Sequence, residues 1–178
     1  MAQAGVGDTA PDFTLLGTGG RSFTLSEQLG APVVLVFYPG DETPVCTMQL
    51  REYSAGAEAF AALGATVWAI SPQGVESHER FACRQDLAMP LLADEDKDLG
   101  RAFGIVGPLG FYRRSVFVID RDGVIRYAHR SSTGLTFRPT TDLIEAVRAA
   151  ETGSAAGSEE DTSEDGGEAS EVAQPVEG

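Results

Sequence analysis

Val33-Val-Leu-Val-Phe37, continuing into Tyr38-Pro-Gly-Asp-Glu-Thr43-Pro-Val-Cys46, is the stretch that decides the fold. Five apolar residues stand between Pro32 and the Pro39-Gly40 pair. A run of that length without polar alternation predicts a strand buried on both faces. Thr43-Pro44 then opens a helical pattern, since Thr suits the N-cap and Pro the first helical position. Cys46 falls in the first turn of that helix. Unpaired backbone N–H groups and the positive end of the helix dipole favour an anion there. The group most readily made anionic at that place is the Cys46 thiol, and the thiolate is its reactive form.

Downstream, Cys46, Leu50, Tyr53, Ala57 and Phe60 recur every three or four residues, which predicts one apolar face on a helix from Pro44 to about Leu63. Gly64 ends it. Cys46 therefore sits at the core-facing corner of the helix start. Thr66–Ile70 predicts the next strand, Val75 to about Leu87 a second helix, Leu91-Leu92 a short strand and Asp96–Phe103 a short helix. Residues 104–110 form a Gly/Pro-broken loop. Ser115–Ile119 and Val124–Ala128 flank Asp120-Arg-Asp-Gly123, a hairpin pattern. Thr141 can cap a last helix that ends near Ala150.

Upstream, Asp12–Leu15 and Ser22–Leu25 flank the glycine cluster 17–20 and predict another hairpin, with a helical turn at Ser26–Leu29. That cluster lacks the Lys-Ser/Thr of a phosphate loop. The order is that of an α/β protein: a thioredoxin-like fold with a mixed central β-sheet, helices on both sides and an N-terminal β-hairpin. It occupies residues 1–150.

Charge sets the remainder apart. Of 27 acidic residues, nine lie from Glu151 onward, where no Lys or Arg occurs. Residues 151–178 are rich in Gly, Ser and Ala and lack aromatics, so an acidic disordered tail is expected. The net charge of −14 argues against nucleic acid and anionic membranes as partners. The N-terminus shows no leader pattern, and no apolar run is long enough to span a bilayer. A cytoplasmic protein with two thiols points to redox chemistry or to inert core residues. His78 and His129 have no ligand spacing and are expected at the surface, with no metal site. Trp68 is expected in the core. Asp94–Asp98 lacks the spacing of a calcium loop and is expected as an exposed loop with a helix cap.

The spacing Pro39-x-x-x-Thr43-x-x-Cys46, placed after a buried strand and opening a helix, resembles the peroxiredoxins. Phe37–Pro44, Ser77–Phe81, Pro90–Asp94 and Arg114–Asp120 are similar to the subgroup called bacterioferritin comigratory protein, or peroxiredoxin Q. The resemblance covers about residues 5–150. It implies reduction of hydrogen peroxide and organic hydroperoxides by a cysteine, without metal or bound cofactor. Cys46 matches the peroxidatic cysteine and Thr43 the residue that aligns peroxide and sulfur. Pro39 matches the shield of the thiolate. Arg114 matches the arginine that stabilises it, with Arg113 as the neighbour one position away.

Three departures accompany it. Val45 replaces the usual Gly, Gln49 replaces a common Glu, and Arg51 stands where some members carry a second cysteine. Cys83, 37 residues beyond Cys46, matches the resolving cysteine of other members. On a helix it points about 200° away from Phe81 and so outward. The resemblance then implies an intramolecular disulfide, a thioredoxin-like reductant and a monomer. A one-cysteine peroxidase served by an external thiol, a non-enzymatic redox sensor and a thioredoxin-fold binding module remain alternatives.

Overall fold

The structure, a computed structural model, describes residues 3–153 and 159–160. The expected disordered tail otherwise lies outside the described residues. The N-terminal hairpin forms, with β1 (Thr14–Gly17) antiparallel to β2 (Arg21–Thr24). A 3₁₀ turn at Leu25–Gln28 leads to β3 (Val33–Phe37), which no solvent reaches on either face.

Alternation along β3 feeds two cores. Val33, Leu35 and Phe37 join Trp68, Phe103 and Phe117 on one face. Val34 and Val36 join Cys46, Leu50, Tyr53 and Phe81 on the other. Trp68 is a core residue, as expected, with the rings of Phe13 and Phe23 edge-on to it.

Helix α1 spans Pro44–Ala55 and α2 spans Ala57–Ala62. The single helix expected to reach Leu63 is therefore broken at Gly56. The last helix docks at this break. A Cβ on Gly56 would lie 2.5 Å from the Thr140 methyl. Thr140 also donates its backbone N–H to the Glu52 carboxylate at 2.9 Å. Apolar periodicity continues through the break, because Phe60 is still buried, so the pattern alone did not reveal it.

The chain continues through β4 (Thr66–Ser71), α3 (Val75–Gln85), β5 (Leu91–Ala93) and α4 (Asp98–Ala102). Then follow β6 (Ser115–Ile119), β7 (Ile125–Arg130) and α5 (Thr140–Glu151), with a two-residue strand β8 at Glu159–Glu160. The sheet order is β2-β1-β5-β4-β3-β6-β7-β8. β3, β4 and β5 pair in parallel, while β6 runs antiparallel to both β3 and β7. The β6–β7 turn uses Gly123 at φ 85°, a left-handed conformation suited to glycine. Helix α5 starts one residue before the expected cap, after Pro139.

The Asp94–Asp98 loop is exposed at Glu95, Asp96 and Asp98 and carries a helix cap, as expected, and only the burial of Asp94 differs. Asp94 is buried and accepts the N–H groups of Leu99 and Gly100 and the Tyr112 hydroxyl. It caps α4 from inside the fold.

Candidate active site

The register of β3 against β6 builds the site. Phe37 lies opposite Ser115, so Tyr38 and Arg114, the next residues outward, leave the sheet side by side. From Tyr38 the chain turns through residues 39–43 into α1. Glu42 takes a left-handed φ of 62°, and Thr43 is extended at φ −76°, ψ 147°, as a residue before proline prefers. Thr43 is the N-cap by position, yet its side chain makes no capping bond. Its hydroxyl instead donates to the Gly40 carbonyl at 3.3 Å. The expected cap is thus absent, which leaves the first-turn N–H groups to another acceptor.

Cys46 is the third residue of α1 and is fully buried. Arg114, itself 3% exposed, uses every arm of its guanidinium. Nη2 donates to the Cys46 Sγ at 3.3 Å, Nη1 to the Gln49 Oε1, and Nε to the Gly134 carbonyl at 3.1 Å. Burial opposes charge on the sulfur, while the guanidinium and the helix N-terminus favour it. Arg113 is exposed, so adjacent arginines alternate between solvent and sulfur.

Gln49 is buried and keeps the link to arginine that a Glu would make. Its Nε2 donates to the Tyr53 hydroxyl at 3.4 Å, and that hydroxyl donates to the Arg138 carbonyl at 2.7 Å. The loop 131–139 thereby closes over the far side of the site. Sequence reasoning missed Tyr53 and Gly134 here. Tyr53 carried only the signal of an apolar face, and a backbone carbonyl carries none.

Asp41 was missed as well. Its carboxylate, 3% exposed, accepts the Tyr38 hydroxyl at 2.6 Å and the Ser77 hydroxyl at 2.7 Å, and it meets His78 Nδ1 at 2.9 Å. Burial raises the Asp41 carboxyl, but bonds from His78, Tyr38 and Ser77 outweigh it and hold the group below its ordinary value. His78 Nε2 lies 3.0 Å from the Leu92 carbonyl. Both ring nitrogens thus lie within hydrogen-bond distance of oxygen atoms from other elements.

His78 is thus fully buried and not a surface residue, because it shares the inner face of α3 with Phe81 three residues on. His129 is also buried, on β7 opposite Val116, with Arg138 Nε 3.4 Å from its Nδ1. Among the described residues no His, Cys, Asp and Glu cluster could hold a metal.

Pro39 is half-buried on the loop that carries Thr43. Cys83 is exposed near the end of α3, facing away from Phe81 as expected, and both thiols are free. The structure thus brings Cys46, Arg114 and Gln49 into direct contact and sets Thr43 and Pro39 on the adjoining loop. Cys83 stands apart from them on a separate helix.

Comparison with known proteins fits this geometry. Residues 6–128 match the AhpC/TSA family. The chain belongs to that family. Among AhpC/TSA relatives, the chloroplastic peroxiredoxin Q of Sedum lineare is 35% identical over 83% of this chain and 78% of its own length. A Helicobacter pylori protein named as a bcp peroxiredoxin is 36% identical over 70% of this chain and 87% of its own. The Xanthomonas campestris bacterioferritin comigratory protein, whose structures were described for alkyl peroxide reduction, superposes with a TM-score of 0.72. It is 28% identical and covers 82% of this chain and 96% of its own. Membership makes this chain a thiol-dependent peroxidase, an oxidoreductase with a peroxide substrate and a reductant. Among the described residues no helix is long and apolar enough to cross a membrane.

Proposed function

We propose that Cys46 is the attacking group and reduces both hydrogen peroxide and organic hydroperoxides. The contact between Arg114 Nη2 and Cys46 Sγ at the α1 N-terminus carries this assignment. The thiolate attacks one peroxide oxygen, the O–O bond breaks, and the other oxygen leaves as alkoxide or hydroxide and takes a proton. Cys46 becomes a sulfenic acid. Arg114 faces the negative charge that moves from sulfur to the leaving oxygen. The Thr43 hydroxyl donates to Gly40, so its lone pairs are free to accept the peroxide O–H. Pro39 covers the loop side.

The Cys83 thiol then displaces hydroxide from the sulfenic sulfur, giving a disulfide and water. A thioredoxin-like dithiol returns both cysteines to thiols by exchange. The working unit is residues 1–150 as a monomer, with the acidic residues 151–178 outside the chemistry. Two free thiols suit a reducing, cytoplasmic setting.

One observation favours a second reading. Cys83 is exposed on another helix, apart from Cys46, which suits a one-cysteine cycle in which an external small thiol reduces the sulfenic acid without Cys83. Peroxide turnover coupled to thioredoxin and its reductase separates the two. Cys46→Ser should abolish turnover. Cys83→Ser should keep the first peroxide reaction and lose thioredoxin-linked cycling. Cycling retained in that variant would assign recycling to an external thiol. Mass mapping after one equivalent of peroxide should show a linked Cys46–Cys83 peptide.

A further inference from the structure

Cys46 and Cys83 belong to segments that are tied together at one place. The tie is the buried polar cluster around Asp41. Asp41 sits in the loop that leads into α1. Ser77 and His78, which contact its carboxylate, sit in the first turns of α3, the helix that carries Cys83. The Asp41 backbone N–H also donates to Gln73 Oε1 at 3.0 Å, just before α3 begins. Leu92 of β5 holds the opposite side of the His78 ring. A second link, Arg84 to Glu42 at 2.6 Å, joins the same two segments but is solvent-exposed on both sides. Exposed pairs contribute little, whereas a buried pair that loses one member leaves an uncompensated charge.

A disulfide requires Cα atoms within about 7 Å and sulfurs in bonding contact. Cys46 Sγ is fully buried against Arg114, and the Cys83 side chain faces solvent. Either the start of α1 or α3 must leave its place before the sulfurs meet. Asp41 resists the first movement and His78 the second.

We propose that Asp41 and His78 are a positioning pair that holds the Cys46 loop against α3 and so sets how fast the sulfenic acid is passed to Cys83. This rests on the proposed Cys46–Cys83 disulfide. The pair touches no reacting atom. It acts on the competition at oxidised Cys46 between Cys83 and a second peroxide, which would take the sulfur to sulfinic acid. A tight pair lengthens the life of the sulfenic acid and exposes it to over-oxidation.

The test is stopped-flow peroxide oxidation of wild type and His78→Gln, with mass analysis of Cys46 over a range of hydrogen peroxide. In His78→Gln, disulfide formation should quicken on the order of tenfold or more, as loss of the ring contact to a buried carboxylate implies. The peroxide concentration that over-oxidises half of Cys46 should rise by the same factor, because both rates compete for one species. Tyr112→Phe serves as the control, since it removes a buried hydroxyl bond to Asp94 that involves neither Asp41 nor His78. It should lower Tm without moving the partition. An unchanged disulfide rate in His78→Gln, with Tm lowered as in the control, overturns the proposal. Should His78→Gln not fold, Ser77→Ala removes one Asp41 donor and must quicken the same step; no change there overturns it equally. Wild-type protein that forms no Cys46–Cys83 disulfide would instead remove the two-cysteine reading, and the pair's role with it.

Discussion

The two thiols of this chain occupy opposite ends of helices. Cys46 lies in the first turn of α1, buried, beside a guanidinium; Cys83 lies in the closing turns of α3, exposed, next to Arg84. The helix dipole favours negative charge at the first position and positive charge at the second. One residue type thus meets opposite fields in two places. Position on the helix, more than the cysteine itself, sets the surroundings of each thiol: Cys46 is enclosed beside Arg114, and Cys83 is open to solvent.

The sharpest way to break that contrast is to remove the guanidinium. Arg114→Ala should slow peroxide attack on Cys46 by about 10²–10³-fold, the range for losing one preorganised donor to developing charge. Arg114→Lys keeps a charge but not the three-armed contact to sulfur, Gln49 and Gly134, and should restore only part of the rate. Arg113→Ala should stay within about twofold, since an exposed side chain contributes little. The second-order rate constant for sulfenic acid formation reads all three. Equal losses in Arg113→Ala and Arg114→Ala would mean that net charge, not contact geometry, prepares the sulfur.

A smaller effect is expected one contact further out. Gln49 orients the guanidinium through Oε1 and is itself held by Tyr53. Gln49→Ala should slow attack by about tenfold, in the range for losing a group that orients an active one. Gln49→Glu should keep the contact while adding a negative charge beside Arg114. If Gln49→Ala leaves the rate unchanged, Gly134 alone suffices to aim the arginine.

Much of this was legible in the sequence because it depends on local pattern. The apolar run of β3, the Thr43-Pro44 start and the position of Cys46 are set by residues within a dozen positions of one another. Arg114 lies 68 positions from Cys46 and was reachable only through family likeness. Its placement follows from the β3–β6 register, which composition does not reveal. The break at Gly56 escaped notice because the residue packed against it, Thr140, is far along the chain. His78 was misplaced for a related reason. A histidine without ligand spacing reads as a surface residue until its acceptor, Asp41, is known to face it from another loop. Buried polar pairs leave no periodic trace; each member looks like an ordinary solvated group.

Asp41, which joins the two thiol-bearing regions, supplies the smallest and most specific test. Burial alone would raise its carboxyl, yet His78, Tyr38 and Ser77 hold it below the ordinary value of 3.8. A carboxyl that is more acidic folded than unfolded stabilises the fold at every pH above its ordinary value. As pH falls through the depressed folded value, the folded protein must take up the proton, and the contribution disappears. The urea midpoint of Asp41→Asn should therefore lie below that of wild type near neutrality, and the gap should narrow as pH drops below 3.8. Asp12 and Asp120, also held below their ordinary values, are present in both proteins and cancel in the difference. A gap that stays constant into acid would assign Asp41's contribution to neutral hydrogen bonding and packing. The tie between the Cys46 loop and α3 would then not depend on the carboxylate's charge, and the partition between disulfide and over-oxidation should be insensitive to acid as well.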